Sequence, residues 1–189
     1  MRSMKMNNRY GNASRTLRRL TYSALCLALG LVLPQLFGRI PEIGKIVSLM
    51  HLPVYLAGFI AGPFYGFAVG VSAPILNFVF FGKPLFVSMV PMMFELAGYG
   101  FFAGLFDKLL PKKKPFVYLS LIFSMVLGRC MGGVGKLVML SLGKINEYGI
   151  SAFFTGYFVS GALSMVIALV VVPAAVFAVR GKRVTYFLR

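Results

Sequence analysis

Residues 48–81 read SLMHLPVYLAGFIAGPFYGFAVGVSAPILNFVFF and contain no Asp, Glu, Lys or Arg. A helix needs about 20 residues to cross the hydrocarbon core of a bilayer, so this stretch is too long for one membrane span. Gly62 and Pro63 interrupt the stretch near its middle, and proline lacks the N–H that a continuous helix requires. We therefore predict two short or tilted helices that turn at Gly62-Pro63.

The composition of the whole chain also indicates a membrane protein. Hydrophobic residues make up 59% of the 189 residues and the mean hydropathy is +0.84, which lies outside the range of soluble globular proteins. The net charge of +16 would suggest nucleic acid in a soluble protein. Here the basic residues flank the apolar runs, as they do in chains that orient themselves in a lipid bilayer. We expect the bilayer as surroundings and no nucleic-acid partner.

Four further apolar stretches have the length of membrane spans. They cover residues 17–37, 86–106, 116–142 and 150–180. Together with the hairpin they predict an all-α integral membrane protein, folded as a six-transmembrane-helix bundle. We expect residues 1–16 to form a basic N-terminal segment, residues 17–180 the bundle, and residues 181–189 a basic tail.

The basic residues predict the orientation of this bundle. With six spans, fourteen Lys and Arg residues fall on the side of the two termini and four on the opposite side. Basic residues are enriched in cytoplasmic loops, so both termini are predicted to be cytoplasmic. An odd number of spans would destroy this asymmetry.

Five polar residues inside or beside the apolar runs are the candidates for function. Glu95 lies near the middle of the fourth span and Arg129 near the middle of the fifth, with Lys136 seven residues further on and so on nearly the same helix face. His51 and Asn77 lie at a comparable depth. A charge facing lipid costs at least about 2.5–3.5 kcal/mol, so these groups should face the interior or water. The pattern predicts a polar cavity that opens to the outside.

Each of these residues also has a purely structural interpretation. Glu95 and Arg129 could neutralise each other as a buried pair, and Lys136 could extend to the membrane interface. His51 could be an interfacial residue, and Asn77 could serve helix packing through a hydrogen bond. Arg129 and Lys136 minus Glu95 leave one positive charge, which suits a ligand bearing a carboxylate or a phosphate.

The motifs of enzymes are missing from the sequence. Residues 128–136 resemble a phosphate-binding loop, but Cys130 stands where its first glycine belongs and Leu137 where Ser or Thr belongs. No His-Glu-x-x-His motif is present, and the single histidine, His51, has no Gly-x-Ser-x-Gly partner. Cys26 lies in an apolar run like Cys130, which indicates packing rather than a disulfide or a metal site. We expect no enzymatic activity, no cofactor and no metal.

Small residues recur at helical spacing in several spans. They are Gly58, Gly62, Gly66 and Gly70, then Gly100 and Gly104, then Gly128 and Gly132. Such positions let helices approach closely in lipid. In the first span, Ala24 and Ala28 lie one turn apart and form a flat strip that another helix could approach.

Several segments together resemble the substrate-binding S components of energy-coupling-factor (ECF) transporters, the vitamin-uptake relatives of ABC importers. The resemblance covers most of the chain, from about residue 17 to residue 173. It rests on residues 48–58, 62–66, 71–76 and 93–100, and on the Ala-x-x-x-Ala strip of Ala24 and Ala28.

This resemblance implies a role in the bacterial plasma membrane. An S component binds a vitamin or related micronutrient from outside, docks on a transmembrane coupling subunit driven by two cytoplasmic ATPases, and topples to release its ligand inward. Ala24 and Ala28 would contact the coupling subunit. Residues 38–47 would form a lid, and residues 143–149, with Asn146, could close the other side. The substrate site would then comprise His51, Asn77, Glu95, Arg129, Lys136 and Asn146.

Two other functions stay open on the sequence alone. A self-sufficient secondary transporter or channel for a small polar solute would need ionisable groups in both leaflets, whereas the inner halves of these spans are nearly uncharged. A structural or assembly protein would use Glu95 and Arg129 only to fix the register of its helices.

Overall fold

The computed structural model describes residues 2–37, 49–111, 113–145, 149, 151, 155–156 and 161–187. Within these residues the chain forms α-helices and no strand. The helices are α1 Arg2–Phe37, α2 His51–Ala61, α3 Pro63–Phe81, α4 Phe86–Leu109, α5 Lys114–Ser141 and α6 Ala162–Phe187. Five of them, all but α2, are long and apolar enough to cross a membrane. The all-α membrane fold is thus confirmed, and the count of six spans stays a prediction.

The predicted turn at Gly62-Pro63 is confirmed. Gly62 has a φ of 108°, which side chains rarely tolerate, and its N–H donates to the carbonyls of Ala57 and Gly58 at 3.3 and 3.0 Å. Pro63 follows at the first position of α3, where a missing N–H costs nothing. Helix α2 has 11 residues and, at 1.5 Å per residue, extends over roughly half of the hydrocarbon thickness.

Two helix boundaries differ from the sequence prediction. Helix α1 continues through the basic segment to Arg2, because flanking charges mark where a helix leaves hydrocarbon rather than where it ends. Helix α6 begins at Ala162, whereas the predicted span begins at residue 150. Residues 151 and 155–156 are also helical, with 155–156 in a π-helical turn, and the rest of 150–160 lies outside the described residues.

Glycines set the packing of α3 against α4, which run antiparallel. A Cβ atom on Gly66 would overlap the carbonyl oxygen of Gly100, and one on Gly70 would overlap that of Leu96. Gly104 faces α2 in the same way, since its Cβ would lie 2.7 Å from the oxygen of Gly58. These glycines allow backbone-to-backbone contact, as their spacing predicts.

Helix α4 is the centre of the bundle. It packs against α2 and α3 on one side and against α5 on the other. On the α5 side, a Cβ on Gly98 would lie 2.8 Å from the Cα of Gly128, and one on Gly135 would lie 2.7 Å from the Cα of Pro91. Helix α1 lies against α2 and α3, and α6 against α2 and α5. In the most apolar stretch of each helix, 17% of the residues of α1 and 22% of those of α6 are buried, against 50% in α4 and in α5. Helices α1 and α6 are therefore peripheral.

Candidate functional site

Glu95 and Arg129, two of the buried charged residues, meet between α4 and α5. The hydroxyl of Tyr99 donates a hydrogen bond to Oε1 of Glu95 and accepts one from Nε of Arg129 at 3.2 Å. We call Glu95, Tyr99 and Arg129 the charged cluster. Its two charged groups are joined through a phenol, whose single hydroxyl serves as donor to one and acceptor to the other.

The helices position the charged cluster by simple periodicity and close packing. Tyr99 follows Glu95 by four residues in α4, so both side chains point from one helix face. Gly128 lets the ring of Tyr99 lie directly against α5, because a Cβ there would overlap the ring. The adjacent Arg129 is 3% exposed, Tyr99 1% and Glu95 8%. At this burial a charge needs hydrogen-bond partners, which the cluster supplies.

Two aromatic rings of α2, His51 and Tyr55, pack against Tyr99 of the charged cluster and complete a trio of rings. The His51 ring meets the Tyr99 ring edge-on with centroids 5.2 Å apart, and the Tyr55 ring lies tilted against it at 4.8 Å. His51 and Tyr55 are also four residues apart and share one face of α2. We call these three residues the aromatic trio. Their separations are typical of favourable ring pairs.

A small cavity lies where α2, α4, α5 and α6 meet. Its wall includes the aromatic trio, Arg129 and Met125, together with Ser164, Met165, Ile167 and Ala168 of α6. Its free volume of about 10 Å³ is about what one water molecule requires. Ligand pockets for small molecules measure roughly 300–1,000 Å³, so a larger ligand must displace part of this wall.

Two basic residues of α5 also approach the chain that precedes α6. Nη2 of Arg129 donates a hydrogen bond to the carbonyl oxygen of Gly161 at 3.2 Å. Lys136 is half-buried, and its Nζ lies 3.4 Å from the position of a Cβ on Gly156. Both cations interact electrostatically with Glu95. The structure thus brings Glu95, Arg129 and Lys136 into one region with a surplus of one positive charge.

Asn77 makes its hydrogen bonds elsewhere, between α3 and α1. Its side-chain N–H groups donate to the carbonyls of Gly30 at 3.2 Å and Ala73 at 2.9 Å, and its oxygen accepts from Gln35 at 3.3 Å. It is 1% exposed. These bonds join two helices, as in the packing interpretation of this residue.

The remaining predicted residues fall outside the buried region or outside the described residues. Ala24 and Ala28 are exposed on α1, whose buried face carries Ser23, Cys26 and Gly30. Asn146 and the predicted lid, residues 38–47, lie outside the described residues, as does part of the loop 143–149.

Sequence reasoning missed Tyr99, Tyr55 and the carbonyl of Gly161. A signal for both tyrosines was available, since each follows a singled-out residue by four positions in a helix. The carbonyl carried no signal, because a backbone oxygen enters a site only through the fold. Chemically, the arrangement offers a guanidinium and three rings around one cavity, with the ammonium of Lys136 further along α5, and these are binding groups.

The chain also matches a known protein family. The family model described as "ECF transporter, substrate-specific component" matches residues 18–179, which include the charged cluster, the aromatic trio and all of α2 to α5. No curated protein and no solved structure matches the chain.

Proposed function

The chain belongs to the family of ECF transporter substrate-specific components, and we propose that it captures a vitamin or related micronutrient from outside the cell for an ECF importer. It is a multi-pass membrane protein of apolar helices. In the proposed orientation both termini are cytoplasmic, α2, α4 and α6 run inward, and the charged cluster lies toward the outer half of the bundle. Partner ATPases supply the energy.

The observation that carries this proposal is the buried cluster of Glu95, Tyr99 and Arg129 beside a cavity. Ionisable groups at membrane depth are expensive, and they ordinarily mark a ligand or ion pathway. Arg129 in particular presents a rigid fork of donors that matches carboxylate and phosphate geometry. A structural protein that used Glu95 and Arg129 only to fix the register of its helices would need neither the additional positive charge of Lys136 nor a cavity lined by aromatic rings.

The proposed docking surface is the exposed face of α1. Ala24 and Ala28 are exposed there, while neighbouring Leu25 and Leu29 are 57% and 48% exposed. Small residues one turn apart allow a partner helix to approach closely, and the adjacent leucines would flank it. The partner we propose is the transmembrane coupling subunit.

The test is ligand capture by the purified chain. Detergent-solubilised protein is incubated with a small-molecule extract of rich growth medium, washed, and denatured, and the released compounds are identified by mass spectrometry. We expect one compound retained near 1:1 by the wild type and lost from Arg129→Gln. The matched control is Leu163→Ala on the exposed face of α6, which should retain it.

Two outcomes would contradict the proposal. Retention of no compound by a folded wild type would favour a structural or assembly role. Solute uptake by liposomes that contain this chain alone, without coupling subunit or ATPases, would favour a self-sufficient transporter.

A further inference from the structure

We propose that the ligand of this site is a planar aromatic acid, a flat ring carrying a carboxylate or a phosphate. The acid would pair with Arg129, and the ring would lie against the aromatic trio of His51, Tyr55 and Tyr99. This inference rests on the proposed function, because it names the chemical class that the captured compound belongs to.

The acid follows from the charges at the cavity and close to it. Arg129 lines the cavity, and Glu95, which contributes one negative charge, interacts with both Arg129 and Lys136, which contribute two positive charges. In the hydrogen-bond chain, the hydroxyl of Tyr99 joins Glu95 to Arg129. The guanidinium also donates to the neutral carbonyl of Gly161. An acid group in place of the neutral Gly161 carbonyl would bring a negative charge to the guanidinium, which binds carboxylates and phosphates through two parallel hydrogen bonds.

The ring follows from the composition of the cavity wall. The His51 and Tyr55 rings both contact the Tyr99 ring, and all three border the cavity beside Arg129. Flat rings gain by offset or edge-to-face contact with other rings, beyond the area they bury. A ring seated here would also carry its acid substituent toward the guanidinium, so one ligand satisfies both features.

A cationic ligand is the other class that aromatic walls recognise, and the charges disfavour it. Ring faces attract quaternary ammonium and similar cations. Arg129, however, lines the same cavity, and Lys136 lies close enough to Glu95 to interact with it. A second cation would be repelled at short range in surroundings of low dielectric constant.

Helix α6 is the part of the wall that must yield to admit a ring. The free volume of about 10 Å³ is smaller than any aromatic ring. The other walls, from α2, α4 and α5, are fixed by glycine contacts such as Gly98 to Gly128 and Gly58 to Gly104. Helix α6 is peripheral, and Arg129 holds its start through Gly161. The ligand's acid would take over Arg129 and release this bond.

The experiment uses five probes that separate charge from planarity. Benzoate and phenyl phosphate are planar and anionic, benzamide is planar and neutral, cyclohexanecarboxylate is anionic and not planar, and benzylammonium is planar and cationic. Binding to the detergent-solubilised chain is measured by calorimetry and by the shift in unfolding temperature. We expect benzoate or phenyl phosphate to bind at least tenfold more tightly than the other three.

Variants locate the two contacts. Tyr55→Leu should weaken the binding of the planar acid at least tenfold. Tyr55→Phe, which keeps the ring, should weaken its binding less than threefold. Tyr118→Leu is the matched control, because Tyr118 is exposed on α5 and pairs with Phe177 away from the cavity. Arg129→Lys should reduce the preference for benzoate over benzamide, since lysine lacks the guanidinium fork.

The inference is overturned if benzamide, cyclohexanecarboxylate or benzylammonium binds as tightly as the planar acids, or if none of the five binds up to millimolar concentration. It is also overturned if the compound retained from growth medium lacks a flat ring or lacks an acid. Such a compound would leave the proposed function standing, whereas the proposed function itself fails only if nothing is retained or transport needs no partner.

Discussion

The side-chain amide of Asn77 donates a hydrogen bond to the backbone carbonyl oxygen of Gly30, 3.2 Å away in α1. This carbonyl lies four residues before Pro34, and Pro34 has no N–H to complete the helical bond to it. In hydrocarbon an unsatisfied carbonyl is costly, and side chains of neighbouring helices commonly satisfy it. Asn77 therefore replaces the hydrogen bond that α1 lacks at Pro34, and the same bond links α3 to α1.

We predict that Asn77→Leu lowers the free energy of unfolding by about 1 kcal/mol, within the range of measured interhelical hydrogen bonds in membranes. The loss of stability caused by Asn77→Leu should be smaller in a Pro34→Ala background, because alanine at position 34 supplies a backbone N–H that can donate to the Gly30 carbonyl. A double-mutant cycle, measured by thermal or denaturant unfolding in detergent, gives this coupling. Equal costs in the two backgrounds would show that the hydrogen bond to Gly30 contributes nothing.

The contact between α3 and α4 should tolerate no added methyl group at Gly66. A Cβ there would overlap the carbonyl of Gly100, whereas a Cβ on Gly30 would lie at an ordinary 3.7 Å from that of Ala73. We predict that Gly66→Ala destabilises the protein by about 1–3 kcal/mol, as overpacking does, and that Gly30→Ala leaves its stability unchanged or raises it by up to about 1 kcal/mol, because alanine favours a helix over glycine. Similar unfolding midpoints for the two variants would contradict this packing.

The proposed docking surface gives a prediction with a matched control. Ala24→Phe should abolish copurification with the coupling subunit, because a ring at this position fills the space that a partner helix needs. Ala174→Phe on α6 starts from the same residue type, also exposed, and should leave copurification intact. Both variants stay apolar, so insertion into the membrane should be normal. Equal copurification of the two would rule out α1 as the docking face.

The charged cluster should behave as one unit. Tyr99→Phe removes the hydroxyl that joins Glu95 to Arg129, and we predict a loss of about 1–3 kcal/mol because buried polar groups lose a partner. In a Glu95→Gln background the loss should differ by at least about 0.5 kcal/mol, as expected of residues in direct contact. Additive losses in this cycle would mean that the three residues act independently. Unfolding in detergent again supplies the measurement.

The sequence was most informative where one residue's chemistry fixes the outcome. Gly62-Pro63 ended one helix and began another as predicted, because proline cannot donate the helical hydrogen bond. The glycines at helical spacing marked the contacts of α3 and α4. Helix α6 begins at Ala162 and the predicted span at residue 150, and most of the residues between them lie outside the described residues. Glu95, Arg129 and Lys136 were recognised from their depth alone.

What the sequence by itself determined is the class of protein and the presence of two charges, Glu95 and Arg129, within its apolar spans, since a bilayer imposes a hydropathy and charge pattern that any single chain must display. Only the tertiary structure decided how those charges are satisfied. It joined Glu95 to Arg129 through Tyr99 and directed Asn77 to Gly30. Whether a hydrogen bond forms depends on differences of a few tenths of an ångström in the distance between donor and acceptor atoms on different helices. Packing sets these distances, and position along the chain does not.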